Sequence, residues 1–116
     1  MKCNPITGFF GVEITGLDLR KKIDTSVKKQ LQSALSEHLV IVIREQWLDA
    51  DQQRALAKVF GEPAVNPYAP GLPAYPEMTH IIKEAKERTG VFGGGWHTDL
   101  SFLDHPPRGS VLCAIE

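Results

Sequence analysis

Four prolines and one glycine crowd the eleven residues 66–76, and this segment limits the fold more than any other in the chain. Proline fixes φ and cannot donate a backbone hydrogen bond, so neither a helix nor a central strand can pass through. We expect an ordered loop here, with the regular elements before and after it. The rest of the 116-residue chain has a globular composition, with 42% hydrophobic and 23% charged residues.

The residues before this loop predict alternating strands and helices. Residues 9–14 form the first predicted strand, bounded by glycines. Asp24 or Thr25 can cap a helix that runs to about His38. Residues 39–43 are a continuous, mostly β-branched run, which predicts a strand buried on both faces. The first helix turns its apolar residues inward at helical spacing: Val27, Leu31, Ala34, Leu35 and His38.

A second helix and three short strands complete the predicted elements. Asp49 caps the helix and Gly61 ends it. Its inward positions are Ala55, Leu56, Val59 and Phe60. After the loop, residues 78–82, 96–102 and 109–115 are predicted strands. Two helices and about five strands indicate an α+β domain.

His97 and Asp99 are the residues most suggestive of chemistry. Alternate side chains of a strand share a face, so His97 and Asp99 would project side by side toward one point. The side chains of residues 96, 98, 100 and 102 would lie on the opposite face and pack against the protein interior. An imidazole and a carboxylate supply two of the three ligands in the facial triad of non-haem Fe(II) sites. Glycines 93–95 would let the backbone approach a ligand closely. The motif alone is a weak signal, because a His and an Asp on a strand can also be an exposed polar pair.

An ordered set of segments resembles the taurine dioxygenase family of Fe(II)- and 2-oxoglutarate-dependent oxygenases. The set includes residues 96–102 followed by Pro106-Pro107-Arg108-Gly109 and the apolar run 110–115. Upstream, residues 11–19, 38–44 and 48–63 are similar to the family's opening, to its helix–strand–helix region and to its Phe-Gly-Glu-Pro turn. The resemblance covers essentially the whole chain.

The resemblance implies that residues 1–116 are the N-terminal fragment of a single dioxygenase domain. The implied fold is the N-terminal portion of a double-stranded β-helix, a cupin-like jelly roll, with flanking helices. His97 and Asp99 would be metal ligands for Fe(II), with 2-oxoglutarate as co-substrate and O₂ as oxidant. The family's second metal His and its 2-oxoglutarate-binding Arg would lie beyond Glu116, so the fragment alone is expected to be inactive.

Asn66 and Tyr68, in the proline-rich loop, are the candidate substrate-binding residues. Taurine-type members carry a sulfonate-binding His near position 66 and an Asn within the segment that is 93–95 here. This chain has Asn and Gly instead, which disfavours taurine itself and leaves a small anionic substrate as the expectation. An Asn-Pro turn without a binding role is the alternative for these two residues.

The chain has three other histidines, and two other functions are compatible with its sequence. His105 is held in a turn by prolines and is not expected to be the third ligand, His38 closes the first helix, and the face of His80 is undecided. A non-catalytic jelly-roll module with a vestigial metal site is one alternative function. A hydrolase using a His–carboxylate site with Zn(II) is another.

Charge and cysteine usage restrict the partners. The net charge is −1 and no basic stripe is present, which disfavours nucleic acid. No apolar run is long enough to span a membrane. Cys3 and Cys113 are isolated and are expected to be reduced thiols, so the predicted location is the cytoplasm. The sequence leaves a homo-oligomer open.

Overall fold

The computed structural model describes residues 1–88, 90 and 93–115. These residues divide into two compact units. The first comprises Met1–Glu62 with the described residues from Val111 onward, and the second comprises Pro63–Ser110. The regular elements lie in the first unit and follow the order β1 (Lys2–Pro5), β2 (Val12–Thr15), α1 (Thr25–His38), β3 (Ile41–Val42) and α2 (Ala50–Phe60).

The three strands form one small mixed sheet in the order β1-β2-β3. β1 pairs antiparallel with β2, and β2 pairs parallel with β3, placing Val12 opposite Ile41. A parallel neighbour requires a crossover, and α1 supplies it. The mixed sheet with two helices confirms the α+β class.

Both helices begin where the sequence predicts, because each has an aspartate cap. The Asp24 carboxylate accepts a hydrogen bond from the backbone of Val27 at 2.8 Å. The Asp49 carboxylate accepts a hydrogen bond from the backbone N–H of Gln52. The Gln52 side chain accepts one from the Asp49 backbone N–H, which completes a capping box. Gly61 is the C-cap of α2, as predicted.

The core lies between the sheet and the two helices. Val12 and Leu31 are fully buried and Ile14 nearly so. The other buried core residues are Leu19, Ala34, Leu56 and Val59. The predicted inward face of α2 is therefore correct at Leu56 and Val59 but wrong at Ala55, which is exposed.

The loop between β2 and α1 is held by side-chain hydrogen bonds. The side-chain oxygen Oε1 of Gln46 accepts a hydrogen bond from the backbone N–H of Leu19 at 2.8 Å. Arg20 forms a fork-like pair with Asp18, and the hydrogen bond from Arg20 lowers the pKa of the Asp18 carboxyl. These contacts fix the loop that delivers Leu19 to the core.

The strand predicted at residues 9–14 is shorter in the structure, where it is β2 (Val12–Thr15). It begins at Val12, since residues 8–10 lie in a turn and Phe9 is 98% exposed. Thr7 accepts hydrogen bonds from the backbones of Phe9 and Phe10 there, which competes with strand pairing. β1, not predicted from the sequence, pairs with the remaining strand.

The run 39–43 was wrongly predicted to be a strand buried on both faces. Leu39 instead ends α1 in the left-handed conformation, at φ 65°, and is exposed. Only Ile41–Val42 form β3, and both are half-buried because, among the described residues, β2 is the one strand beside them.

The predicted strands at residues 78–82, 96–102 and 109–115 are absent from the described residues. Turns and irregular backbone occupy these positions. A strand needs a hydrogen-bonded neighbour, and no described strand pairs with any of the three segments.

The proline-rich segment is an ordered loop, as predicted. The Leu72 backbone donates to the Met78 carbonyl at 2.8 Å, and Tyr75 donates to Leu72 at 3.0 Å. Cys3 and Cys113 are both free thiols. No helix in the described part of the chain is long and apolar enough to cross a membrane.

Candidate metal centre

His97 and Asp99 lie side by side in the second unit. The Nε2 atom of His97 is 3.2 Å from the Oδ1 atom of Asp99, and their side chains are 52% and 59% exposed. The sequence predicts this juxtaposition through a strand, but the described backbone of residues 96–102 is irregular. A turn follows the pair, in which the Leu103 backbone donates to the Leu100 carbonyl at 3.2 Å and Leu100 has φ 49°.

The His97 ring is oriented by the glycine-rich backbone before it. Its Nδ1 atom is 2.7 Å from the Gly95 carbonyl oxygen. A carbonyl only accepts, so Nδ1 donates this hydrogen bond, and Nε2 is the ring nitrogen that remains for a metal. Metal-binding histidines have this same arrangement, with the second ring nitrogen donating to a carbonyl or carboxylate.

The Asp99 carboxylate is held by a hydrogen bond to the oxygen that does not face His97. The Ser110 hydroxyl donates to Oδ2 at 3.0 Å, while Oδ1 faces His97. The two carboxylate oxygens therefore have different partners.

The spacing of the two donor atoms fits one divalent ion. Two ligands about 2.1 Å from an ion and at a right angle to each other lie about 3 Å apart. The observed 3.2 Å between Nε2 and Oδ1 is close to that distance. Among the described residues, no group of three or more His, Cys, Asp or Glu side chains could hold a metal, so neither His105 nor His80 joins the pair.

The flanking aromatic residues do not face a core, contrary to the sequence prediction. Trp96 is fully exposed and Phe102 is 69% exposed. The predicted packing face required these residues to form a strand within a sheet, and residues 96–102 belong to no described strand.

Of the candidate substrate-binding residues, Tyr68 contacts the motif segment. Its ring and that of Phe102 have centroids 5.7 Å apart. Tyr68 also lines a groove of about 230 Å³ in the second unit, together with Ala69, Pro70 and residues 79–82. The carbonyl oxygen of the Asn66 side chain accepts from the Tyr68 backbone at 2.9 Å, which leaves the Asn66 amide as a donor.

Sequence reasoning missed two participants, Ser110 and Phe102. Ser110 lies eleven positions after Asp99, and no periodicity links the two. Phe102 was assigned to packing through the strand pattern. Neither residue could be found from spacing, because both contacts depend on turns in the chain.

A family model and two named relatives each match almost the whole chain. The family model described as "Taurine catabolism dioxygenase TauD, TfdA family" matches residues 2–116. An alkylsulfatase from Acinetobacter baylyi is 33% identical over 97% of this chain and 34% of its own length. An α-ketoglutarate-dependent sulfate ester dioxygenase from Pseudomonas putida is 32% identical over 97% of this chain and 36% of its own length. The chain thus spans about a third of these relatives.

Solved structures agree with the sequence comparison. A Burkholderia xenovorans protein described as an α-ketoglutarate-dependent taurine dioxygenase is similar over 91% of this chain and 37% of its own, with a TM-score of 0.71 and 27% identity. AAD-2, crystallised with Mn(II) and N-oxalylglycine, is similar over 54% of this chain and 23% of its own, with a TM-score of 0.53 and 28% identity. The chain belongs to the TauD, TfdA family of taurine catabolism dioxygenases.

Proposed function

We propose that this chain is the N-terminal part of an Fe(II)- and 2-oxoglutarate-dependent dioxygenase that hydroxylates a small anionic organic substrate. The observation that carries the proposal is the His97–Asp99 pair, with donor atoms 3.2 Å apart, in a member of this family. The remainder of a double-stranded β-helix, as in the family, would close around the pair.

His97 and Asp99 would hold the Fe(II) on one side. His97 would offer Nε2 to the ion because its Nδ1 donates a hydrogen bond to the Gly95 carbonyl, and Asp99 would offer Oδ1. With 2-oxoglutarate and O₂, the bound iron would supply the oxidation of an unreactive C–H bond. A second His and a 2-oxoglutarate-binding Arg are needed as well, and we assign both to residues outside this chain.

Asn66 and Tyr68 are proposed to bind the substrate. The free amide of Asn66 can donate to an anionic oxygen, and the Tyr68–Phe102 aromatic pair offers an apolar surface beside it. Taurine-type members carry a sulfonate-binding His near this position, where this chain has Asn66, so taurine is not the expected substrate. Losing one hydrogen bond to a charged group costs about 1.5–3 kcal/mol, or roughly ten- to a hundredfold in affinity. The sulfate ester dioxygenase among the relatives makes sulfate esters the first compounds to assay.

Titration of the chain with Co(II), followed by visible absorption, tests the metal site. We expect weak binding with one ion per chain, abolished in both His97→Ala and Asp99→Ala. The control is His105→Ala, which removes a nearby imidazole outside the pair. Tight binding that survives His97→Ala would overturn the proposal.

A non-catalytic module with a vestigial metal site is the second candidate. It is favoured by the lack of a third ligand among the described residues. Succinate release from a longer form of the protein separates the two candidates. Metal-dependent release that is lost in Asp99→Ala supports the dioxygenase, whereas metal binding without release supports the module.

A further inference from the structure

The two oxygens of Asp99 are not equivalent. Oδ1 lies 3.2 Å from His97 Nε2, on the side where an ion would bind both residues. Oδ2 accepts the hydroxyl proton of Ser110 at 3.0 Å, a bond to a charged acceptor. Such charge-assisted bonds are about twice as strong as bonds between neutral groups.

This asymmetry bears on how Asp99 can bind a metal. A free carboxylate can bind through one oxygen or two, and it can rotate about its terminal torsion. An oxygen that already accepts from Ser110 is less available to a metal, and the bond also restricts rotation. Asp99 is thereby prepared to offer Oδ1 alone, which leaves one more coordination position for other ligands.

His97 is oriented in a matching way, but by backbone. The Gly95 carbonyl that accepts from its Nδ1 cannot be removed by a side-chain substitution. The Ser110 hydroxyl that donates to Asp99 belongs to a side chain, so a substitution can test this contact directly.

We propose that Ser110 is a positioning residue that holds Asp99 as a single-oxygen metal ligand. This inference rests on the proposed function, because it assumes that Asp99 binds the ion. Ser110 itself does not touch the metal, since its hydroxyl is directed to Oδ2. Groups that orient metal ligands commonly change metal affinity by 10–100-fold when removed, and an exposed pair belongs at the lower end of that range.

Three variants of the chain separate positioning from general disturbance. Ser110→Ala removes the hydroxyl, and Ser110→Thr keeps it. Ser101→Ala is the matched control, because the Ser101 hydroxyl is hydrogen-bonded to Thr98 Oγ1 at 2.7 Å and is not a partner of His97 or Asp99 in that bond. Two measurements are made on each variant in dilute solution. The first is Co(II) affinity with the visible spectrum of the bound ion, and the second is the Asp99 side-chain rotamer without metal, from NMR couplings to its carboxyl carbon.

We expect Ser110→Ala to weaken Co(II) binding by about tenfold, to alter the Co(II) spectrum and to average the Asp99 rotamers. Ser110→Thr and Ser101→Ala should match the unaltered chain in both measurements. Unchanged Asp99 couplings in Ser110→Ala would overturn the inference, as would equal losses in Ser101→Ala. If no variant bound Co(II) through His97, the proposed function would fail, while the metal-free couplings would still decide whether Ser110 orients Asp99.

Discussion

At the residue scale, Gly93 sets how closely the backbone approaches the His97 ring. Its φ is +71°, in the left-handed region that favours glycine. A Cβ atom added there would lie 3.2 Å from His97 Cε1 and 3.6 Å from Nε2. The sequence suggested only that a glycine-rich stretch precedes the motif, and the structure identifies Gly93 as the position where a side chain would press on the ring.

We expect Gly93→Ala to weaken Co(II) binding about tenfold, the equivalent of about 1.4 kcal/mol. The substitution adds backbone strain of about 1–3 kcal/mol and displaces His97 from Asp99. Absorption titration measures the effect. Gly95→Ala is the control, because a Cβ at Gly95 meets nothing within 4 Å and its carbonyl is retained. Equal affinities for the two variants would contradict this account.

At the scale of the elements, the helices were predictable and the strands were not. A helix makes its backbone hydrogen bonds internally, so its cap and its apolar spacing are both readable in the sequence. α1 and α2 accordingly begin after Asp24 and Asp49 as predicted. A strand depends on hydrogen bonds to a neighbouring strand, which the local sequence does not identify. The strand predictions at residues 78–82, 96–102 and 109–115 were therefore wrong.

The capping box of α2 makes the contribution of one side chain measurable. We expect Asp49→Ala to lower the free energy of unfolding by about 1 kcal/mol, because it leaves backbone donors of the first turn unpaired. Asp49→Asn keeps an oxygen that can accept from Gln52 and should lose much less. Urea denaturation followed by circular dichroism gives both values. An Asn variant as unstable as the Ala variant would show that the charge, and not the cap, stabilises the helix.

At the scale of the whole molecule, exposed apolar side chains are the dominant feature of the surface. Phe9 is 98% exposed, Trp96 is fully exposed and Leu112 is 86% exposed. β1 is also exposed along its whole length and is an edge strand of the described sheet. Apolar surface and open strand edges promote association between chains.

We therefore expect the chain to self-associate as its concentration rises. Sedimentation velocity over a dilution series measures this, with Phe9→Ser as the test variant. Lys86→Ser, in an exposed charged segment, is the control that leaves the apolar surface intact. The expected result is a shift to smaller species in Phe9→Ser alone. A single monomeric species at every concentration in the unaltered chain would refute the expectation.

Local sequence patterns were enough to locate the helices, their caps and the proline-rich loop, and to select His97 and Asp99 as a candidate pair. Each of these depends on neighbours within a few positions, where steric limits and local hydrogen bonds decide the outcome. The resemblance of ordered segments also led to the right family, which the comparisons establish.

The tertiary structure alone decided how the candidate site is built. His97 and Asp99 lie 3.2 Å apart on irregular backbone without a strand, and Trp96 is exposed. Ser110 reaches Asp99 across eleven positions of irregular chain. Contacts of this kind depend on the path of the backbone between the partners, and no periodic pattern in the sequence encodes that path.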